Sequence, residues 1–273
     1  MLGRDLVDCC RLNGMDVMGL DLPELDITNA DALSAGIPTV DWIVNCAAFT
    51  RVDDCETERD TAFSVNAEGP RNLAVVARER EMRLLHISTD YVFDGRAGRA
   101  FEETDRTNPL SVYGASKLAG EKAIRAEGGR YLIVRTQSLF GKQGHNFVKA
   151  IVRKTRESDA PLRVVDDQIS APTYTRHLAE ALVRLARLNQ EGVMHVTASG
   201  SCSWYEFARQ IVVEIKPGHE VVPISAADLN LPATRPMFSI LSNQRYQSMT
   251  GHTMPEWRHG LEAYFQEEDY FTR

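Results

Sequence analysis

Tyr113 and Lys117 stand four residues apart in a stretch with helical spacing, Tyr113-Gly114-Ala115-Ser116-Lys117. Four residues is about one helical turn, with roughly 5 to 6 Å between Cβ atoms, so both side chains leave one face and can act on one ligand. A phenol titrating near 10 is a poor proton donor or acceptor at neutral pH, and a neighbouring ammonium favours the phenolate. Lowering the phenol by about 3 units takes roughly 4 kcal/mol of differential interaction, within reach of a partly dry cleft. Lys117 can also donate to a ribose hydroxyl. Thr89, in Ser88-Thr89-Asp90 at the end of an apolar run, can donate to the same carbonyl oxygen that Tyr113 would protonate. Taken alone, Tyr-x-x-x-Lys is more often an exposed helical pair. Two further features favour the chemical reading. Asn45-Cys46-Ala47-Ala48 follows an apolar run, where small residues let a ligand approach the backbone. Asp21 closes another, downstream of Gly3, about where an acidic group meets an adenosine ribose, although an Asp there commonly caps a turn.

Those residues need a scaffold that ends strands beside helices. Strand-like runs at 16–20, 42–46, 84–88, 131–135 and 193–197 alternate with amphipathic helical patterns at 2–13, 66–81, 111–127 and 175–188. The order is β-α-β, repeated, which predicts an α/β fold: a Rossmann-like doubly wound parallel sheet with ligands at the strands' carboxyl ends. From about residue 141 the rhythm changes to a helix at 147–157, a strand at 162–165, a helix at 204–215 and a Pro-rich stretch at 223–236. This reads as a smaller α/β substrate-binding lobe. The expected division is 1–141 plus about 173–200 for the dinucleotide lobe, and about 142–172 plus 201–273 for the substrate lobe, with the cleft between them as the site.

The front end is unusual. A dinucleotide fold starts with a strand and a glycine-rich turn, yet Met1-Leu2-Gly3-Arg4 already reads as the following helix, with Gly3 as the turn's last glycine. The first strand and most of that turn are therefore expected upstream of residue 1. A truncation or misassigned start would leave a chain that folds or binds dinucleotide poorly, because a sheet buried on both faces does not tolerate an empty central slot.

Composition narrows the function. The 273 residues are 43% hydrophobic and 25% charged, with a net charge of -7, an ordinary globular profile without a footprint for nucleic acid or anionic membrane. Apolar runs fall short of a membrane span and the N-terminus lacks a signal-peptide layout, so the expected location is cytoplasmic. Five cysteines without a CxxC spacing suggest reduced, mostly buried thiols and no zinc site.

The sequence resembles the extended short-chain dehydrogenase/reductases, and within them the dTDP-4-dehydrorhamnose reductase family. The likeness is carried by Asn45-Cys46-Ala47-Ala48-Phe49-Thr50-Arg51-Val52-Asp53, Ser88-Thr89-Asp90-Tyr91-Val92-Phe93-Asp94-Gly95 and Pro109-Leu110-Ser111-Val112-Tyr113-Gly114-Ala115-Ser116-Lys117. Val164-Val165-Asp166-Asp167-Gln168 and Ser203-Trp204-Tyr205-Glu206-Phe207 extend it into the second lobe. The resemblance implies a catalytic set of Thr89, Tyr113 and Lys117, with NADPH or NADH delivering hydride to C4 of a nucleotide-linked 4-keto-6-deoxy sugar. By position it places Gly3, Asp26, Ile27, Ala47, Ala48, Tyr113 and Lys117 along the cofactor. Val52, Thr89 and Asn146 fall on the sugar side, and Gln168 and Arg235 at the nucleotide end, where an Arg fork suits a diphosphate. Ser138 stands where the family has a Trp near the sugar, and Phe238 where it commonly has Asn, so the sugar is less securely carried over than the reaction. Some relatives use Mg2+ through glutamates at a dimer contact, but no carboxylate cluster identifies such a site, and both monomer and homodimer stay open. Two other readings share these residues: a non-catalytic regulatory or binding subunit of the same fold, and an epimerase or epimerase-reductase on another nucleotide sugar.

Overall fold

The computed structural model describes residues 1–268. In chain order it builds α1 (Leu2–Leu12), α2 (Ala30–Gly36), β1 (Trp42–Asn45), the short α3 (Asp54–Thr57) and α4 (Arg59–Phe63), and α5 (Gly69–Glu79). Then come β2 (Arg83–Thr89), α6 (Val112–Glu127), β3 (Arg130–Thr136), β4 (Leu139–Phe140) and α7 (Phe147–Glu157). Next are β5 (Leu162–Val165), β6 (Ile169–Ser170), β7 (Thr173–Tyr174), α8 (Thr175–Arg187) and β8 (Gly192–His195). β9 (Cys202–Ser203), α9 (Trp204–Ile215), β10 (Val221–Ile224), α10 (Gln244–Thr250) and α11 (Trp257–Glu268) complete it.

The main sheet runs β1-β2-β3-β8, every pair parallel. Helices cover both faces, as the near-continuous apolar strands require. On one face Leu33 of α2, Leu73 and Val76 of α5 and Ile124 of α6 pack on Ile43, Leu84 and Ile133. On the other, Leu2 and Leu6 of α1 and Leu178 and Leu182 of α8 pack on Leu85, Leu132 and Val134. The spacing explains the packing: Leu2, Leu6 and Cys9 recur at four and three residues and line one helix face. Each fully buried leucine contributes about 1.5 to 3 kcal/mol.

One expected strand does not form. Residues 16–20 lie outside any sheet, with Met18 57% and Leu20 41% exposed. An apolar run alone does not make a strand, because its backbone N–H and C=O groups need a neighbouring ladder. Among the described residues β1 pairs only with β2, so no ladder is offered beyond it, and Val44 in β1 is itself exposed.

A second core gathers Phe140, Tyr174, Phe207, Trp257 and Tyr264 with α7, α9 and α11. Phe140 stacks on Tyr174 at 5.6 Å between centroids, and Phe207 meets Trp257 edge-on at 5.6 Å. α9 starts in a capping box between Ser203 and Glu206. Around this core lie the β4–β7 and β5–β10 parallel pairs and the β6–β9 antiparallel pair. Gly95, with φ +73, turns the loop after β2 against the segment ending at Phe238. A Cβ on Gly95 would stand 2.7 Å from Pro236 Cβ. No described helix is long and apolar enough to cross a membrane.

Candidate active site

Tyr113 and Lys117 emerge from the first turns of α6, which Ser111 starts by accepting from the Gly114 amide at 3.2 Å. Gly114 is required there because a Cβ would lie 2.2 Å from the Tyr91 carbonyl oxygen. That contact presses α6 against the turn after β2, and brings the Tyr113 phenol into hydrogen-bonding contact with Thr89. Thr89 Oγ1 donates to Asp90 Oδ1 at 3.0 Å and accepts from the Tyr91 amide at 3.2 Å, so its position is set by its own strand end. Tyr91 packs edge-on against Tyr113 at 5.6 Å. Thr89 and Tyr113 are thus together, with Lys117 one turn further along α6.

Electrostatics correct one expectation. Desolvation dominates at Tyr113 and pushes the phenol up, opposing the lowering that spacing predicted from Lys117. Burial lowers Lys117 to about 8, against the raising influence of Glu121 and Cys46. Its ammonium is not aimed at Tyr113: Nζ donates to the Ile87 carbonyl at 2.6 Å and lies 3.3 Å from His86 Nε2. Asp90 is pushed up to about 7 by burial, so near neutrality it is divided between carboxyl and carboxylate.

Behind α6 lies a buried ionic cluster that spacing did not reveal. Glu121, one turn beyond Lys117, accepts from Arg135 at 2.8 and 2.7 Å and from Ser88 at 2.6 Å. Arg125 adds a fourth contact at 3.0 Å, and Arg135 also lies over the Phe93 ring. The cluster ties α6 to β2 and β3. Asn66 performs a similar service in front, bonding Phe49 through both backbone groups and donating to Ser116 Oγ at 3.0 Å.

The residues expected along a cofactor lie at the entry of α1, beyond β1 and in the turns of residues 21–28. Gly3 opens α1, with its Cβ position 3.6 Å from Cys46 Cβ, so the helix start sits against the end of β1. No side chain caps that start, and a free helix N-terminus suits a diphosphate. Ala47 is exposed and Ala48 half-buried beyond β1. Asp26 folds into a local turn, accepting from the Thr28 amide and hydroxyl at 2.9 and 2.8 Å, and Ile27 packs against Gly69. Asp21 is exposed and accepts from the Leu22 amide at 2.9 Å, the turn-capping role that sequence left open. The small helix entry beside the end of β1, followed by two alanines, leaves room for a dinucleotide.

On the sugar side the positions are less uniform. Val52 and Gln168 are half-buried. Asn146 is the N-cap of α7, accepting from Lys149 N at 3.1 Å and donating to the Gly141 carbonyl at 2.8 Å. Arg235 makes a fork to Asp53 at 3.0 and 2.7 Å and also bonds Tyr91, so its guanidinium already has partners. Ser138 takes a positive φ of 49 and donates to Ser170 Oγ at 2.9 Å. Among the described residues no group of three or more His, Cys, Asp or Glu could hold a metal.

Residues 1–270 match the family model of the RmlD substrate binding domain. The chain is 37% identical over 268 residues to the spore coat polysaccharide biosynthesis protein SpsK of Bacillus subtilis (strain 168), covering 97% of this chain and 94% of that protein. It is 38% identical over 275 residues to a dTDP-4-dehydrorhamnose reductase of Aggregatibacter actinomycetemcomitans, covering 95% and 93%. Its fold is similar to the crystal structure of dTDP-4-dehydrorhamnose reductase from Bacillus anthracis in complex with NADP. That match has a TM-score of 0.94 and 38% identity, over 97% of this chain and 95% of that one.

Proposed function

This chain belongs to the dTDP-4-dehydrorhamnose reductase family, and from that premise we propose that it reduces the C4 ketone of a nucleotide-linked 4-keto-6-deoxy sugar with NADPH or NADH, converting dTDP-4-dehydro-L-rhamnose to dTDP-L-rhamnose. The observation that carries the reading is the half-buried phenol of Tyr113 at the start of α6 beside Thr89 at the end of β2, two hydroxyls that can meet one carbonyl oxygen. A reductase needs its tyrosine as an acid, and a phenol, which titrates near 10, carries its proton at neutral pH.

The reduced nicotinamide, when bound, supplies hydride to the carbonyl carbon; the entry of α1 at Gly3, Ala47, Ala48, Asp26 and Ile27 would hold it. Tyr113 gives its proton to the oxygen that becomes the C4 hydroxyl. Thr89 turns its one hydroxyl proton from Asp90 Oδ1 to that same oxygen and holds it in line. Lys117 sits one turn further along the same helix face, within reach of a ribose hydroxyl. Arg235, held by Asp53, and Gln168 serve the nucleotide end, with Val52 and Asn146 nearer the sugar. We assign residues 1–141 plus about 173–200 to the cofactor lobe and the remainder to the substrate lobe. The five unpaired cysteines suit a reducing compartment such as the cytoplasm.

The test follows NAD(P)H absorbance with the 4-keto sugar nucleotide. Consumption of reduced cofactor should require the sugar, and Tyr113→Phe should lower kcat by about 10²- to 10⁴-fold while cofactor affinity stays the same. Undiminished turnover in that variant would sink the assignment. A protein without turnover that copurifies with a partner enzyme would point to a regulatory subunit instead.

A further inference from the structure

Asp90 is buried in the short turn that follows β2, and the chemistry described above uses it only as the acceptor from which Thr89 turns away. A threonine hydroxyl has one proton and two lone pairs. At Thr89 the proton goes to Asp90 Oδ1 at 3.0 Å, one lone pair takes the Tyr91 amide at 3.2 Å, and the Tyr113 phenol is the third neighbour. The Ser239 hydroxyl bonds the same carboxyl group. Its proton is free to do so, because in the amide orientation that satisfies both its ends Gln137 donates to the Ser239 carbonyl at 2.7 Å and accepts from the Ala171 amide at 3.2 Å. The groups that stabilise a charge on Asp90 are thus neutral donors, two hydroxyls and the backbone amides of Asp90 and Tyr91.

A ketone oxygen placed between Thr89 and Tyr113 makes the two forms of Asp90 unequal. Beside a carboxylate, a Thr89 that gives its proton to the ketone turns a lone pair towards Oδ1, and two acceptors then face each other across a buried contact. A Thr89 that keeps its proton on the carboxylate leaves the ketone with Tyr113 alone. A carboxylic acid satisfies every group. It donates to Thr89 Oγ1, into the lone pair vacated as Tyr113 turns to the ketone, while the Tyr91 amide keeps the other and both hydroxyl protons reach the ketone oxygen. We propose that Asp90 is a positioning residue whose carboxylic acid form donates to Thr89 and thereby releases the Thr89 proton to the substrate ketone, so that reduction runs through the protonated state. This role rests on the reading of Thr89 and Tyr113 as donors to one ketone. Burial brings the acid form within reach, since it pushes the carboxyl up to about 7. The ionisable groups that face it are the phenols of Tyr91 and of Tyr113 on α6, both neutral near pH 7. The charged pair of Arg235 and Asp53 lies against Tyr91 and is forked together.

The carboxyl can be read without turnover. In full-length protein carrying 13C-labelled aspartate, NMR titration of the Asp90 carboxyl, assigned by its loss in Asp90→Asn, should give a midpoint above about 6 in place of the usual carboxylate value. Thr89→Val removes one donor to the carboxylate and should raise that midpoint by about half a pH unit or more. A midpoint below about 5, or one that does not respond to Thr89→Val, overturns the proposal. Should Asp90→Asn not fold, an aspartate carboxyl titrating above about 6 that moves in Thr89→Val is still expected, and its absence overturns the proposal. Kinetics then test the consequence. With saturating NADPH and sugar nucleotide, kcat of the unmodified protein should fall about tenfold or more between about pH 6 and 8.5, because only the acid form frees the Thr89 proton. Asp90→Asn keeps a permanent donor towards Thr89, and its kcat should change by less than about threefold over the same range. The same alkaline limb in both proteins overturns the role of Asp90 and leaves the reductase reading standing. A protein that reduces no sugar nucleotide overturns the proposed function itself, and with it this role, whatever the titration shows.

Discussion

Glu121→Gln is the perturbation that most directly probes how the fold holds its site. Glu121 has no exposed surface in its side chain and Arg135 only 2%, so the guanidinium depends on this one carboxylate for its charge. The other neighbours of Arg135 cannot replace it: the Phe93 ring gives a weak cation–π contact, and His195, lowered to about 3 by burial, is neutral. Glutamine keeps the volume and one acceptor but leaves a buried cation without its counter-charge. Breaking a buried pair from one side costs about 3 to 5 kcal/mol, most of it the penalty of the stranded ion. In urea the unfolding midpoint should fall by roughly 1 to 2 M with the slope unchanged. The acid limb supplies a second reading. Arg135, Ser88 and Arg125 hold Glu121 below its ordinary value of 4.5 despite burial, so its folded form binds its proton less readily than the unfolded chain. The stability it contributes is fully present above pH 4.5 and is lost as pH falls through the lower folded value. The variant should lack that part of the acid dependence. A midpoint within about 0.3 M of the parent, with the same acid limb, would refute the argument and mean that water reaches Arg135. Replacing the whole pair, as in Glu121→Met with Arg135→Leu, should cost much less than Glu121→Gln alone.

Two further outcomes follow from distances in the site. Gly114→Ala places a Cβ 2.2 Å from the Tyr91 carbonyl, so the start of α6 must withdraw from the turn carrying Thr89. Stability should drop by about 1 to 3 kcal/mol and kcat by roughly tenfold or more; steady-state kinetics beside a melting curve would expose a neutral substitution. Arg235→Lys exchanges a fork on Asp53 for a point charge, and KM for the sugar nucleotide should rise about tenfold with kcat nearly unchanged. A loss confined to kcat would place Arg235 elsewhere in the mechanism.

The parts legible from sequence share a physical basis, which is that they are local. Tyr113 and Lys117 face one way because one helical turn separates them, and helix α7 and strand β5 appear at the expected residues because apolar spacing reports their buried faces. α6 runs Val112–Glu127, with Ser111 as its cap rather than its first residue. The helix expected at 66–81 is divided, because Ser64–Glu68 forms a π turn that lets Asn66 reach both Phe49 and Ser116 before α5 begins at Gly69. Nothing in a 3.6-residue period encodes that insertion.

What the sequence determined by itself was the alternation of strand and helix, the acidic globular character and the Tyr-x-x-x-Lys spacing, all consequences of backbone periodicity and side-chain type. Only the tertiary structure decided which charges meet. Asp53 and Arg235 stand 182 residues apart in the chain, and His86 meets Lys117 across 31. Burial also had to be known before the sign of the Tyr113 shift was, because an ammonium four residues away lowers a phenol and desolvation raises it. Spacing shows the first influence alone. The same holds for residues 16–20, an apolar run that reads as a strand: a strand exists only where another backbone lies ready to receive its hydrogen bonds, and that is a property of neighbours in space.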